Sequence, residues 1–240
     1  MRRFLITAAL AAFPFGQAYA GSEQPTVVEL FTSQSCSSCP PAEAFLGELA
    51  GRPDVIALEF HVDYWDDFVH GGAGKWKDPF SQPAFTERQR AYNFALRHRP
   101  QVYTPQMVIA GRDEAVGSDR PAVLAAIERA AAAQPKLALG ISRSAQGGLS
   151  VSVEGNGDGP AALWLVRIER VSTTRVTGGE NKGLTLINHR VVREVRRIGD
   201  WGGAPVALEV PEPELASNES CVAFVQDERQ GPILAAAACP

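Results

Sequence analysis

Apolar and β-branched residues fill Thr26 to Thr32 and stop at Ser33-Gln34-Ser35, a pattern that predicts a buried strand followed by a tight loop. Beyond the loop, Ala42, Phe45, Leu46 and Leu49 recur at helical spacing until Gly51 and Pro53 end the run, so an amphipathic helix is expected there. Val55 to Val62 reads as a second buried strand and Phe85 to Leu96 as a second helix, with a long loop between them. Met107 to Ala110, a turn at Gly111-Arg112, and Ala115-Val116 make a short hairpin. Val123, Leu124 and Ile127 then mark a third helix with Asp119 as its cap. The order is β-α-β-α-β-β-α.

At Gln134-Pro135 the helical patterns cease. Leu137 to Ser142, Leu149 to Glu154, Ala162 to Ile168, His189 to Val195, Val206 to Val210 and Val222 to Gln226 read as strands separated by clusters of Gly, Asn, Asp and Pro. Short strands at that spacing suggest a small sandwich. The chain therefore divides near Pro135 into an α/β domain, residues 21–135, and a mostly β, sandwich-like domain, residues 136–240. The polar, glycine-bearing stretch from Thr177 to Arg190, with Asn181, Lys182 and His189, reads as a surface loop, with ligand binding as the alternative, and Trp65 and Trp76 in the long Tyr64–Ala84 connection read as side chains packed over the sheet, with contact to a partner as the alternative.

Residues 1–20 have a different character. Arg2-Arg3, an apolar run from Phe4 to Phe15, and Ala18-Tyr19-Ala20 form a signal-peptide pattern with a cut after Ala20, which places the mature protein in the periplasm or outside the cell. The run is shorter than the ~20 residues of a spanning helix, Pro14 interrupts it, and no later stretch is long enough, so no membrane span is expected after signal removal. The net charge of −4 is spread along the 240 residues with no basic patch, which excludes nucleic acid as a partner.

Export changes what cysteine means. Outside the cytosol, Cys36, Cys39, Cys221 and Cys239 read as two pairs. Cys36 and Cys39 sit between a strand and a helix, where unpaired N–H groups and the helix dipole favour thiolate over thiol and can lower a cysteine pKa from ~8.5 to as little as ~3.5. Cys36 is the expected nucleophile and Cys39 the resolving thiol, a catalytic pair that needs no cofactor. Its partners would be protein thiols or disulfides and a second redox protein that recharges it. Pro40-Pro41 makes the thiolate shift modest if it displaces the helix start. The shortage of ligands argues against structural zinc, whereas Cu(I) held by the two thiolates and His61 or another donor, or a redox-silent adaptor, are the alternatives.

Thr104-Pro105 precedes the hairpin, where a cis bond would present the Thr104 backbone to an approaching peptide, and both are expected to bind substrate. Glu29 is the nearest carboxylate in sequence that could relay a proton to Cys39; an ion pair or a solvated strand end is the competing reading, and neither Glu29 nor Asp63 is given a catalytic role. Cys221 and Cys239 fall opposite each other if the last hairpin turns at Arg229-Gln230-Gly231 with Gly231 left-handed, which predicts a structural disulfide; Pro232 invites a register slip.

The order strand, Cys36-Ser37-Ser38-Cys39, helix, with Thr104-Pro105 ahead of a hairpin, resembles the thioredoxin superfamily over residues 26–133. More narrowly, Val28 to Glu43, His61-Val62-Asp63-Tyr64-Trp65-Asp66, Arg88-Gln89-Arg90-Ala91-Tyr92, Tyr103-Thr104-Pro105-Gln106-Met107 and Gly179-Glu180-Asn181-Lys182-Gly183 resemble the exported, thioredoxin-like domain-of-unknown-function family number twelve twenty-three. That resemblance implies an α/β thioredoxin-like domain followed by the β-rich one. It implies no substrate.

Overall fold

The computed structural model describes residues 24–68, 73–133, 135, 137–145, 147–211 and 213–240; the expected signal segment lies outside them. The elements are β1 (Thr26–Thr32), α1 (Pro40–Leu49), β2 (Val55–His61), α2 (Pro83–Arg97), β3 (Gln106–Ile109), β4 (Asp113–Val116), α3 (Arg120–Ala132), β5 (Ala138–Arg143), β6 (Leu149–Glu154), β7 (Ala161–Arg175), β8 (Thr185–Trp201), β9 (Val206–Val210), β10 (Glu219–Asp227) and β11 (Ile233–Ala238).

All seven residues of β1 are buried, because it lies inside the sheet between parallel β2 and antiparallel β3 and both of its faces are covered. Successive side chains of a strand point to opposite faces. Val28 and Leu30 meet Phe45, Leu46 and Leu49 of α1 and Val123 and Ile127 of α3. Val27 and Phe31 meet Phe60, and Phe85 and Tyr92 of α2, on the other. Each such side chain, fully buried, contributes about 1.5–3 kcal/mol. Helix α1 begins at Pro40 with Cys39 as its cap residue, so the two prolines occupy first-turn positions where no N–H is required for the helix. Asp119 caps α3 as expected, its carboxylate accepting from the Ala122 N–H at 3.2 Å.

One eight-stranded sheet, in the order β11-β10-β7-β8-β2-β1-β3-β4, runs through the molecule, and a three-stranded sheet, β5-β6-β9, lies apart from it. The change of character near Pro135 falls between α3 and β5, yet the large sheet crosses it, since β8 pairs in parallel with β2 at Glu59 and Val191. A sandwich-like packing is present on one side only: Leu139, Val151 and Val153 of the small sheet meet Leu163, Leu165, Ala223, Val225 and Ala235 of the large one. A buried polar knot adds a second tie. Arg88 of α2 donates to Glu29 of β1 at 2.7 Å and to Gln226 of β10 at 3.0 Å, and Tyr92 donates to the same Glu29. Glu29 is thus the anchor of an ion pair joining β1, α2 and β10.

The β7–β8 hairpin is longer than the sequence suggests. The segment from Thr185 to Arg190 continues as strand against β7 rather than as surface loop. In the last hairpin β10 and β11 pair from Val222 with Ala238 to Val225 with Ala235, the register that sets Cys221 opposite Cys239, and the register then shifts at Gln226. The left-handed residue of its turn is Gln230, φ 57°, not Gly231. No helix among the described residues is long and apolar enough to cross a membrane.

Candidate active site

Cys36 and Cys39 are joined by a disulfide with 5.5 Å between their Cα atoms, in the loop from β1 to α1. The loop is built by local hydrogen bonds: the Cys36 N–H donates to the Ser33 carbonyl at 3.0 Å and the Cys39 N–H to the Cys36 carbonyl at 3.2 Å. Both cysteines are fully buried, while Ser37 and Ser38 between them are exposed. The Thr104–Pro105 peptide is cis, as is Gly159–Pro160, which the sequence did not single out. The Thr104 hydroxyl donates to the Cys36 sulfur at 3.3 Å and accepts from the Trp65 indole N–H at 2.8 Å. The structure therefore brings Cys36, Cys39 and Thr104-Pro105 together. Cys221 and Cys239 are bonded to each other on the β10–β11 hairpin, at the far edge of the sheet.

The segment Gly178 to Gly183 after β7 lies against this loop. Asn181, buried, donates from its amide to the carbonyls of Gln34 at 3.0 Å and Cys36 at 2.9 Å. One oxygen of Glu180 accepts from both the N–H and the hydroxyl of Ser37, at 2.9 and 2.7 Å. Gly179 permits this approach: its φ is +68°, and a Cβ there would stand 2.8 Å from the Ser35 hydroxyl. The motif read as surface loop is thus a clamp on the cysteine loop, supplied by the second half of the chain.

A buried acid–base cluster is linked to the cysteine loop. Glu43 of α1 accepts from Thr32 at 2.7 Å; the His61 Nδ1 bonds Asp78 at 2.7 Å and its Nε2 lies 3.3 Å from Glu59; Glu59 accepts from the Asn188 amide and the His189 N–H at 2.7 and 2.9 Å. Asp78 also accepts from the Gln34 N–H at 2.8 Å, and Gln34 is bonded in turn by Asn188 and the Trp76 indole, so the cluster is linked directly to the cysteine loop. Burial, then the charge of Glu59, pushes the Glu43 carboxyl up to about 8, against the pull of His61 and Thr32. Burial opposes charge on His61, yet Asp78 and Glu59 outweigh it and raise its pKa well above the ordinary histidine value. Burial likewise opposes charge on Asp78, but His61 and the N–H groups of Gln34 and Phe80 hold it below the usual carboxylate range.

Sequence reasoning missed Glu43, Glu59, Asp78 and Asn181. A signal was present for one part of it: Glu59 and His61 stand two apart in the otherwise apolar run from Val55, hence on one face of a buried strand, where polar groups require partners. Both nitrogens of His61 face carboxylates, so it is committed to this cluster rather than to the sulfurs. Among the described residues no group of three or more His, Cys, Asp or Glu is arranged to hold a metal ion.

The fold and site define a mixed α/β protein with a buried Cys-x-x-Cys disulfide in the loop that leads from β1 of an eight-stranded sheet to helix α1. The family model described as protein of unknown function (DUF1223) matches residues 27–226, and the chain belongs to that family. The X-ray crystal structure of protein AGR_C_4864 from Agrobacterium tumefaciens is similar at 27% identity and a TM-score of 0.75, covering 92% of this chain and 96% of that one. HBP35 of Porphyromonas gingivalis shares the fold at 14% identity and a TM-score of 0.54, over 91% of this chain and 75% of its own. No functionally curated protein matches the chain.

Proposed function

We propose that the protein is an extracytoplasmic thiol–disulfide oxidoreductase that acts on protein thiols and disulfides through Cys36 and Cys39. The observation that carries this reading is the convergence of the two cysteines with Thr104-Pro105, whose hydroxyl reaches the Cys36 sulfur at 3.3 Å. The sheet order β2-β1-β3-β4 with α1 and α3 on one face and α2 on the other is a thioredoxin-like arrangement, which supports it. The cycle runs in either direction: as a disulfide the pair is attacked by a substrate thiolate, and in the reducing direction the Cys36 thiolate attacks a substrate disulfide and forms a mixed disulfide, releasing one substrate thiolate. Cys39 loses its proton, attacks the Cys36 sulfur and releases the second substrate thiolate, which is protonated. The chain is oxidised by two electrons and the substrate reduced by two. The backbone of Thr104 is the docking edge for the substrate chain, and export is supplied by the signal segment.

The test is Cys39→Ser. Without the resolving thiol, mixed disulfides of Cys36 with exported proteins should accumulate on non-reducing gels, and Cys36→Ser should trap far fewer. Loss of Cu(I) affinity with no trapped partner in either an oxidising or a reducing background would refute the reading in favour of a copper carrier.

A further inference from the structure

Resting on the oxidoreductase reading above, we infer that the Cys36–Cys39 pair is an electron donor: the site withholds support from the Cys36 thiolate, favours the disulfide, and so makes the dithiol a reductant of protein disulfides. The argument follows the N–H groups that could face a Cys36 anion. Ser37 donates its N–H to Glu180, and Cys39 donates to the Cys36 carbonyl. Pro40 and Pro41 have none, and the N–H groups of Ala42 and Glu43 both point to the Cys39 carbonyl, at 2.9 and 3.1 Å. From residue 37 to residue 43 only the Ser38 N–H is left to the sulfur, whereas an acidic cysteine at a helix start depends on several such donors.

Two further terms act in the same direction. Cys36 is 0% exposed, and burial in a low dielectric disfavours a thiolate. In the cluster linked to its loop, Glu59 and Asp78 outnumber the one cation, His61, while Glu43, raised to about 8, is mostly protonated at neutral pH, and Glu180 adds a carboxylate on Ser37. The opposing contacts are the Thr104 hydroxyl and the Ser38 hydroxyl, each at 3.3 Å from the sulfur, and neither carries charge. A disulfide whose reduced form gains little from a stable thiolate resists reduction, and its dithiol gives electrons readily. With the helix starting at Pro40, the modest shift expected in that case gives way, on this inference, to a thiol near or above the free value. The electrons pass from this dithiol to a substrate disulfide, and a dithiol protein more reducing still restores it.

The test is the redox equilibrium of the full mature protein, with Cys221 and Cys239 left in place. The pair is expected to equilibrate in dithiothreitol buffers and to remain oxidised in mixtures of reduced and oxidised glutathione. Glu180→Gln removes the charge beside Ser37, and Pro41→Ala returns an N–H to the helix start; each is expected to raise the equilibrium constant for reduction by about tenfold, equivalent to about 30 mV for two electrons. Glu180→Asp should hold the wild-type value, and alkylation of reduced Cys36 against pH should shift downward in the first two variants only. Pro41→Ala leaves the Glu180 clamp intact and reads the same term if Glu180→Gln does not fold. Ready reduction of the wild-type pair by glutathione, or unchanged equilibrium constants in both variants, would overturn the inference. A pair that native protein never exposes to dithiothreitol would instead defeat the oxidoreductase reading on which it rests.

Discussion

The two disulfides of this protein are built in opposite ways. Cys221 and Cys239 join facing positions of one antiparallel hairpin, and the Cys239 N–H also donates to the Cys221 carbonyl at 2.9 Å, so the bond repeats a pairing that the strands already make. Its surroundings are apolar, with Leu139, Val151 and Ala223 in the same cluster. Cys36 and Cys39 instead close a loop held by Glu180 and Asn181 of one segment and Asp78 of another, and linked to a cluster of ionisable groups. Packing alone requires none of those polar contacts. The difference separates a staple from a reactive centre: one bond limits the unfolded chain, and the other is positioned by groups that a staple would not need.

The comparison is broken most severely by exchanging the roles. Cys36→Ser should lower the rate of protein-disulfide reduction at least about a thousandfold, while the double variant Cys221→Ser and Cys239→Ser keeps it, as followed by insulin reduction. That double variant should in turn lose about 3 kcal/mol of stability in urea, the value for opening a loop of this length, and Cys36→Ser less, about 2 kcal/mol, because its loop holds only two intervening residues.

The buried cluster linked to the cysteine loop sharpens the contrast through pH. Glu43 has its pKa raised in the folded protein, so the native state binds more protons than the unfolded one between about 4.5 and about 8, and stability falls as pH rises through that window. Raised His61 acts in the same sense, its contribution being complete below the unfolded value and lost as pH rises through the folded one. Glu43→Gln should remove the first part of this decline, so that the variant gains on wild type by several kcal/mol, on the order of 3, at pH 8 relative to pH 5, measured by urea titration at both. An unchanged pH profile would show that Glu43 does not titrate in this window. Asn181→Ala leaves the Gln34 and Cys36 carbonyls without their donor and should cost about 1–3 kcal/mol. It should also speed alkylation of the reduced pair by loosening the loop, an effect absent for Asn188→Ala if the clamp acts on Cys36 itself.

Much of the local structure was legible in the sequence because it depends on neighbours along the chain. The continuous apolar run of β1 and the alternation in β6 and β9 mark their limits to the residue, and Asp119, Thr104-Pro105 and the Cys221–Cys239 pairing each follow from short-range geometry. The joining of β8 to β2 was not, since Glu59 and Val191 are brought together from distant parts of the chain and neither strand's pattern distinguishes an edge from an interior place in the sheet. The same holds at the site. Glu43 reads as a polar residue on an amphipathic helix and Asn181 as part of a glycine-rich loop, and only the fold shows that both side chains are buried around the cysteines.

The central claim is that one disulfide exchanges in the native protein and the other does not. Native protein titrated with dithiothreitol, quenched by alkylation and mapped by mass spectrometry, reports each cysteine separately. Cys36 and Cys39 are expected to be labelled together while circular dichroism stays native and Cys221–Cys239 remains intact. Labelling of Cys221 and Cys239 first, or of Cys36 and Cys39 only as the fold is lost, would contradict it.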